Sequence, residues 1–293
     1  ISKLLTQAND ISLILIIGVI FILVSLSLKI SAAPFHMWTP DVYQGSSTII
    51  TAFLSVVPKV AAFSVIIRFL VFPFGEINVD WSKIIIILSI SSMIIGSLGA
   101  LLQTELKRLF AYSTINHVGF MLIGLTPGSE DGIIAISIYL ILYLLMNLGV
   151  FLIILNLRRD NINVTQIKDL SGYFSNNPFM ACCMAIFAFS MAGIPPLAGF
   201  LGKLIVLNVA IDNNLFYLAI IGVLSSVIAA FYYLRIIKSM FFDSQTDELD
   251  QSVNTESKVL VSIIAFLNLT ILFYPQFFLD LSASITFSLF AVN

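Results

Sequence analysis

Four ionisable side chains lie inside long apolar segments, where a charge is costly. Lys29, Lys59 and Lys203 are flanked by aliphatic and aromatic residues, and His117 lies in another apolar segment. Charged groups at membrane depth are rare and mark ion or proton paths. Because removal from water disfavours the charged form of an amine, a buried lysine can exchange its proton, and histidine titrates near neutral pH. The four residues therefore predict a path for protons.

Each of these residues also has a purely structural interpretation. Lys29 lies late in its segment, so its side chain could reach the membrane interface, whereas Lys59 and Lys203 lie deeper. His117 could instead hydrogen-bond a neighbouring helix. Cys182 and Cys183 are adjacent, and because neighbours on a helix point in different directions, we expect inert thiols and no metal pair.

The composition is that of an all-α polytopic membrane protein. Hydrophobic residues make up 59% of the 293 residues and charged residues 10%, against about 25% charged in soluble domains. A net charge of −2 gives no reason to expect nucleic acid. The chain has no glycine-rich phosphate loop and no spaced cysteine set, so we expect no bound cofactor.

Segments long enough to cross a membrane, about 20 apolar residues each, divide the chain. We predict eight of them, at 11–33, 47–73, 83–103, 107–126, 131–157, 179–210, 215–241 and 257–290. If consecutive segments alternate in direction, the turns at 34–46, 103–107, 157–178 and 241–257 share one side. That side carries eight basic residues against three (Lys3, Arg68 and Lys83) on the other, which predicts that it faces the cytoplasm or matrix.

Prolines interrupt the first and sixth segments. The first break is expected around 31–35 and the second around 193–197, and each has a lysine nearby, Lys29 before the prolines and Lys203 after them. A broken helix at membrane depth is tolerated only where protein or water covers its freed backbone groups. Interrupted spans in corresponding positions of two halves indicate a transport site, and the opposite placement of the lysines fits inverted repeats.

Three motifs resemble the antiporter-like subunits of respiratory NADH:quinone oxidoreductase. They are Lys29–Gly45 (KISAAPFHMWTPDVYQG), Leu106–Phe120 (LKRLFAYSTINHVGF) and Ala192–Lys203 (AGIPPLAGFLGK). Within that family, the PDVYQG sequence and the lysine at position 203 resemble the subunit 2 group. The subunit 4 group typically has a glutamate at the position of Lys203. The resemblance covers essentially the whole chain.

The resemblance implies an inverted-repeat fold in which Lys29, Lys59 and Lys203 form a hydrophilic axis half-way through the membrane. It implies proton translocation driven by quinone reduction elsewhere in the complex, with no redox cofactor in this subunit. Applied to this chain, it gives a single transmembrane domain in which 1–73 is the remainder of the first repeat, 74–241 the second, and 242–293 a loop and C-terminal helix.

The family's first helices have no counterpart among the eight predicted spans. In the family, one of them carries a glutamate that pairs with the lysine equivalent to Lys29, and the only acid before that lysine here is Asp10. Because an unpaired buried charge is strongly unfavourable, we expect another polypeptide to supply these helices. An incomplete sequence and a real loss of the helices are the alternatives.

Three functions fit these features. The first is proton translocation within the membrane arm of NADH:ubiquinone oxidoreductase, beside its other subunits and lipid, in the mitochondrial inner membrane or a bacterial plasma membrane. The second is a subunit of a cation/proton antiporter, which shares the same motifs. The third is a structural membrane subunit without its own proton path.

Overall fold

A computed structural model describes residues 13–159, 162–244, 249–250, 253–271 and 273–290. Lys3, Asp10 and residues 245–248 and 251–252 of the predicted turn at 241–257 lie outside these ranges. The described residues form twelve α-helices: α1 (Leu13–Ile30), α2 (Trp38–Gly45), α3 (Thr48–Val71), α4 (Asn78–Leu101), α5 (Leu106–Leu125), α6 (Glu130–Asn156), α7 (Tyr173–Asn176), α8 (Pro178–Ala192), α9 (Ala198–Asp212), α10 (Phe216–Phe242), α11 (Thr255–Thr270) and α12 (Pro275–Phe290).

Short irregular elements join the helices. Single 3₁₀ turns cover Gly75–Ile77 and Ile167–Leu170. The two-residue strands β1 (Arg158–Arg159) and β2 (Ile162–Asn163) pair antiparallel, with Arg158 opposite Asn163. The fold is therefore helical apart from a minimal ribbon in the polar connection after α6.

Five of the described helices, α1, α3, α4 with its preceding 3₁₀ turn, α6 and α10, are long and apolar enough to cross a membrane. A sixth span results only if α11 and α12 act together, and these two are bent by 95°. The predicted count of eight is thus not confirmed by length and composition. The predicted span 257–290 consists of two helices, α11 and α12. The sequence did not indicate the break before Pro275, because the residues on both sides of it are apolar.

Helix α5 shows why a span in the bundle centre can be less apolar. Nearly all its residues are buried, including the polar Ser113, Asn116 and His117. Neighbouring helices cover these side chains, so they do not contact lipid.

Small residues allow α4 and α5 to approach closely: a Cβ at Gly96 would lie 2.4 Å from the backbone nitrogen of Asn116. Close backbone approach through glycine is typical of helix pairs in membranes.

The predicted interruption of the first span is confirmed. Helix α1 ends at Ile30, and Ser31 has a positive φ of 66°. The freed groups of Ala33 are taken by α4: its N–H donates to Ser92 Oγ at 2.8 Å, and its carbonyl accepts from Ser91 Oγ at 2.7 Å. The serine pair thus replaces the backbone hydrogen bonds that the break removes.

Replacing Ser92 with alanine should destabilise the chain, because it leaves the buried N–H of Ala33 without an acceptor. An unsatisfied buried donor costs about 1–3 kcal/mol, which thermal unfolding of the purified protein will register as a lower midpoint. Ser82→Ala on the same helix is the control, since Ser82 is only half-buried and its solvent-exposed bond to Val79 is long, 3.4 Å. Equal midpoints for the two variants would contradict the role given to Ser92.

The predicted interruption of the sixth span is also confirmed, between Ala192 and Ala198. Gly193 adopts a φ of 85°, a conformation that glycine reaches without steric cost. The backbone N–H of Gly199 donates to Ser190 Oγ at 2.9 Å, and that hydroxyl donates to Asn268 Oδ1 of α11 at 2.7 Å. These two consecutive hydrogen bonds connect the break to the neighbouring helix α11.

The connections that carry most of the basic residues meet at one end of the bundle. The backbone N–H of Leu106 donates to Thr165, that of Gly172 donates to Ser239, and that of Asp250 donates to Arg158. The first break joins the same end, because Arg108 Nη1 lies 2.7 Å from Asp41 Oδ1. These contacts agree with the predicted grouping of the turns on one side.

Candidate functional site

Lys59 lies in the middle of α3 and is fully buried, at 0% exposure. Pro58 precedes it and has no N–H, so the carbonyl of Leu54, four residues earlier, loses its usual helical donor. The ammonium of Lys59 lies 3.3 Å from that carbonyl and donates to Tyr43 Oη at 2.9 Å. The predicted deep lysine is therefore held by a freed carbonyl and a phenol.

Lys203, at the second break, is also buried and also donates to a backbone carbonyl without a helical donor. It lies on α9, is 4% exposed, and donates from Nζ to the carbonyl of Ala192 at 2.8 Å. That carbonyl is freed because α8 ends there. The ammonium also lies 5.0 Å from the centre of the Phe120 ring, a cation–π arrangement that favours the charged amine.

His117 lies between tyrosines from two other helices. Its Nδ1 is 2.9 Å from Tyr139 Oη on α6, and its Nε2 is 3.2 Å from Tyr233 Oη on α10. Tyr233 is in turn hydrogen-bonded to Ser113 Oγ. With one ring nitrogen donating and the other accepting, a neutral histidine bridges the two phenols.

Buried hydroxyls lie between the lysine on α3 and the histidine on α5. Tyr43 accepts from Lys59, and the carbonyl of Ser55, one turn before Lys59 on α3, lies 3.2 Å from Tyr143 Oη. Tyr143 Oη donates to Thr114 Oγ1 at 2.9 Å, and its ring centre lies 5.4 Å from that of His117. These groups form one polar cluster inside the bundle.

The same cluster extends towards the second lysine. The Phe120 ring that lies against the Lys203 ammonium is stacked on Tyr139 at 6.3 Å, and the Tyr139 phenol is the partner of His117 Nδ1. Three of the four predicted site residues thus belong to one buried assembly. We refer to it as the lysine–tyrosine cluster (Lys59, Tyr43, Thr114, Tyr143, His117, Tyr139, Tyr233 and Lys203).

Lys29 is not part of this cluster. It lies in the last turn of α1, is exposed, and forms no hydrogen bond or ion pair within the described part of the chain. Helix α1 as a whole buries few of its residues, namely Val19, Leu23, Ser27 and Ile30. The structure therefore leaves Lys29 at the edge of the bundle.

Two basic residues at the start of α5 hold the helix that carries Tyr43. Lys107 Nζ donates to the carbonyls of Gln44 and Ser46, at 3.2 and 2.8 Å, at the end of α2. Arg108 Nη1 donates to Asp41 Oδ1 and to Gln44 Oε1. These contacts fix α2 and, through it, the phenol of Tyr43 beside Lys59.

The tyrosines of the cluster were not predicted as site residues. Tyr139 and Tyr143 are spaced i, i+4 on α6, so they share a helix face, which was an available signal. Tyr43 and Tyr233 come from distant segments, and only the tertiary structure brings them to Lys59 and His117.

The structure offers no metal-binding group of three or more His, Cys, Asp or Glu among the residues that it describes. Cys182 is exposed and Cys183 buried, and both are free thiols. The chemistry available in the lysine–tyrosine cluster is therefore that of amines, phenols and an imidazole.

The chain matches a known family model, described as NADH:quinone oxidoreductase/Mrp antiporter, TM, over residues 1–229. It is 48% identical over 261 residues to NADH-quinone oxidoreductase subunit N of Rhodospirillum rubrum, covering 89% of this chain and 54% of that protein. It is 46% identical over 268 residues to the same subunit of Pelagibacter ubique, covering 92% and 57%.

These relatives confirm the predicted group, since subunit N corresponds to subunit 2. The chain spans about half the length of the curated relatives that it matches, 54% and 57% in these two.

Solved structures show the same fold. A chain of respiratory complex I from Thermus thermophilus with bound Aureothin superposes with a TM-score of 0.81 at 28% identity, covering 93% of this chain and 60% of that one. A chain of the Mrp complex from Dietzia sp. DQ12-45-1b gives a TM-score of 0.81 at 21% identity, covering 90% and 57%. The predicted all-α antiporter-like architecture is therefore confirmed.

Proposed function

Because this chain belongs to the NADH:quinone oxidoreductase/Mrp antiporter transmembrane family, we propose that it moves protons as a membrane-arm subunit of respiratory NADH:quinone oxidoreductase. Electron transfer occurs elsewhere in that complex, and this chain holds no cofactor. The observation that carries the proposal is the pair of buried amines, Lys59 and Lys203, placed at either end of a cluster of phenols around His117.

The cluster has the groups that stepwise proton transfer needs. A phenol both donates and accepts, so Tyr43 can pass a proton to or from the Lys59 amine while its own oxygen stays hydrogen-bonded. His117 can receive a proton at one ring nitrogen and release one from the other, exchanging its tautomer between Tyr139 and Tyr233. In this proposal Lys59, Lys203 and His117 take up and release protons, and the phenols hold these groups in place or pass protons between them.

Both lysines keep a partner in either protonation state. As ammonium groups they donate to carbonyls freed by Pro58 and by the end of α8, and hydrogen bonds from a charged donor are the stronger ones. As neutral amines they still have N–H groups for these carbonyls. Protonation can therefore change without breaking the helices, which is what a reversible carrier requires.

The finer architecture is part of this proposal. We propose eight spans, in which α5, the broken pair α8 and α9, and the bent pair α11 and α12 each cross once. We assign residues 1–73 to the first inverted repeat, 74–241 to the second, and 242–293 to a loop and a C-terminal helix. In support, both predicted interruptions occur, and each has its freed groups bound inside the bundle.

Lys29 completes the proposed axis only with a partner outside the described residues. Its exposure on α1 agrees with a carboxylate supplied by helices of another membrane-arm chain, as the family resemblance implies. We place the assembly in an energy-coupling membrane, which is the mitochondrial inner membrane or the bacterial plasma membrane. The relatives described above are bacterial.

Purification through a tag on this chain tests the proposal. We expect a large membrane complex that oxidises NADH with quinone and acidifies one side of sealed vesicles as it does so. Isolation of the chain in an assembly without NADH oxidation would reject it.

A cation/proton antiporter is the second candidate, because the description of the matching family model names both NADH:quinone oxidoreductase and the Mrp antiporter. Sodium gradients separate the two functions. An imposed gradient would drive proton movement through an antiporter without NADH, whereas the proposed subunit requires quinone turnover. A purely structural subunit would tolerate replacement of Lys59 and Lys203 in both assays.

Replacing Tyr43 with phenylalanine should slow proton transfer while preserving the fold. The ring remains packed, but Lys59 loses its phenol acceptor, and a hydrogen bond to a charged group is worth about 1.5–3 kcal/mol. We expect NADH-driven acidification through this chain to slow by roughly tenfold to hundredfold. Tyr217→Phe on the exposed face of α10 is the control. Full activity in Tyr43→Phe would remove Tyr43 from the path.

A further inference from the structure

A second site of distinct chemistry lies where the basic connections meet. A cavity of about 180 Å³ is lined by three cationic side chains, Lys168, Arg235 and Lys238, and by one acidic side chain, Asp243. The local formal charge is positive, although the whole chain has a net charge of −2. No member of the lysine–tyrosine cluster lines the cavity, so this feature is separate from the proposed proton path.

Arg235 is built into the wall of the cavity. Its Nη1 donates to the carbonyl of Leu101 at 3.0 Å, and its Nη2 donates to that of Gln103, at the end of α4. Its Nε is buried and has no hydrogen-bond partner among the described residues. A buried donor of this kind is costly unless an acceptor reaches it. The guanidinium is therefore fixed in place, with two of its five N–H groups bonded to the end of α4 and the second N–H of each Nη still unused.

The other side of the cavity is also held rigidly. Ser171 Oγ donates to the carbonyl of Lys168 at 2.7 Å, and Ser239 Oγ donates to that of Ile167 at 3.2 Å. The backbone N–H of Gly172 donates to the carbonyl of Ser239. These bonds tie the 167–172 connection to α10, so the basic side chains project from a fixed frame.

The acidic side chain does not neutralise the site. Asp243 Oδ1 lies 3.7 Å from Lys238 Nζ, and both side chains are substantially exposed, at 42% and 71%. An exposed pair at this distance contributes little and rearranges readily. Asp169, on the neighbouring 3₁₀ turn, is already paired with Arg159 at 3.4 Å. Lys168 and Lys238 therefore remain available to an incoming anion.

An apolar stripe leads along α10 to the cavity. Val227, Phe231 and Leu234 are 66%, 65% and 44% exposed, and their i, i+4, i+7 spacing puts them on one helix face. Lys238 follows Leu234 by four residues and continues that face. A hydrocarbon chain can lie on the stripe while a charged group reaches the basic residues at its end.

We propose that this cavity binds the phosphate group of an anionic phospholipid, whose acyl chains lie on the apolar stripe of α10. Its volume is below the ~300–1,000 Å³ of sites that enclose a drug-sized ligand, so it suits a headgroup phosphate. Basic pockets between helices on the positively charged side of a membrane protein recognise such headgroups. The lipid joins α10 to the end of α4 and to the 167–172 connection.

Amide hydrogen exchange on the purified membrane complex that contains this chain tests the proposal. The complex is placed in nanodiscs of phosphatidylcholine, with or without added phosphatidylglycerol, and separately exposed to millimolar inorganic phosphate. We expect phosphatidylglycerol to slow exchange in residues 165–175 and 235–244, and inorganic phosphate to have no effect. Protection by inorganic phosphate alone would overturn the lipid assignment.

A double variant, Lys168→Gln with Lys238→Gln, provides the second arm. Both side chains are exposed, so their replacement removes charge without removing packing. Each of the two cations contributes to the binding free energy of an anionic lipid, and the two contributions add. We therefore expect half-maximal protection of the double variant to need roughly 30-fold more phosphatidylglycerol. Lys83→Gln, far along the sequence and outside the cavity, should leave the titration unchanged. Equal protection in the double variant and the unaltered chain would reject the site.

Discussion

Replacing Lys59 with methionine will slow proton transfer through this chain by roughly 10²–10⁴-fold, the usual contribution of a positioned proton-transfer group. Methionine keeps an apolar stem of similar length but cannot take up or release a proton. The measurement is the ratio of protons moved to NADH oxidised in sealed vesicles. Lys83→Met is the control, because Lys83 is exposed and its one ion pair among the described residues is with Asp80, at 3.9 Å.

The same substitution also removes two hydrogen bonds, so its structural effect must be separated. Without Lys59, the carbonyl of Leu54 and the phenol of Tyr43 lose a donor, at a cost of about 1–3 kcal/mol for an unsatisfied buried group. Lys59→Arg distinguishes the roles, since arginine restores charged donors but does not deprotonate. Recovery of translocation in Lys59→Arg, or an unchanged proton ratio in Lys59→Met, would show that Lys59 only supports the helix.

Both deep lysines donate to backbone carbonyls that have lost their helical donor. Pro58 frees the carbonyl that Lys59 meets, and the end of α8 frees the carbonyl of Ala192 that Lys203 meets. An amine inside a membrane is costly, and so is a carbonyl without a donor. When the amine donates to the carbonyl, both costs fall, which is a physical reason for each deep lysine to lie beside a carbonyl without a helical donor.

The sequence was informative where a single segment decides the outcome. Proline positions predicted both interruptions, because a residue without an N–H cannot continue the hydrogen-bonded helix. The depth of Lys59 and Lys203 within apolar segments predicted their burial. For His117 the sequence favours neither a relay nor a packing role, because its two phenol partners come from α6 and α10 and no local pattern on α5 reveals them.

The sequence was less informative where the outcome depends on neighbouring helices or on a bend within an apolar stretch. The stretch 257–290 was predicted as one span without a break, and it forms two helices, α11 and α12, bent by 95°. Periodicity and hydropathy do not register a bend between two equally apolar helices. The partners of Lys59 were also missed, because Tyr43 reaches it only after α2 is fixed by Lys107 and Arg108.

Replacing Gly199 with alanine should give the largest loss of stability among single changes at the second break. A Cβ at this position would lie 1.8 Å from the carbonyl oxygen of Ser190 and 3.1 Å from Met146 Sδ. The nearest atom belongs to the backbone, so α8 and α9 must move apart. Overpacking costs about 1–3 kcal/mol or more, and the shift also disturbs the Ser190 hydroxyl that binds the Gly199 N–H.

We expect Gly199→Ala to lower the thermal unfolding midpoint of the purified complex and to reduce proton translocation, because the Ala192 carbonyl that holds Lys203 lies at the same break. Gly202→Ala, one turn along α9, is the matched control. Its Cβ would meet only side-chain atoms of Leu142 and Tyr139, at 3.2 Å, which can yield by small rotations. A midpoint for Gly199→Ala equal to that of Gly202→Ala would show that α8 and α9 are not locked at this contact.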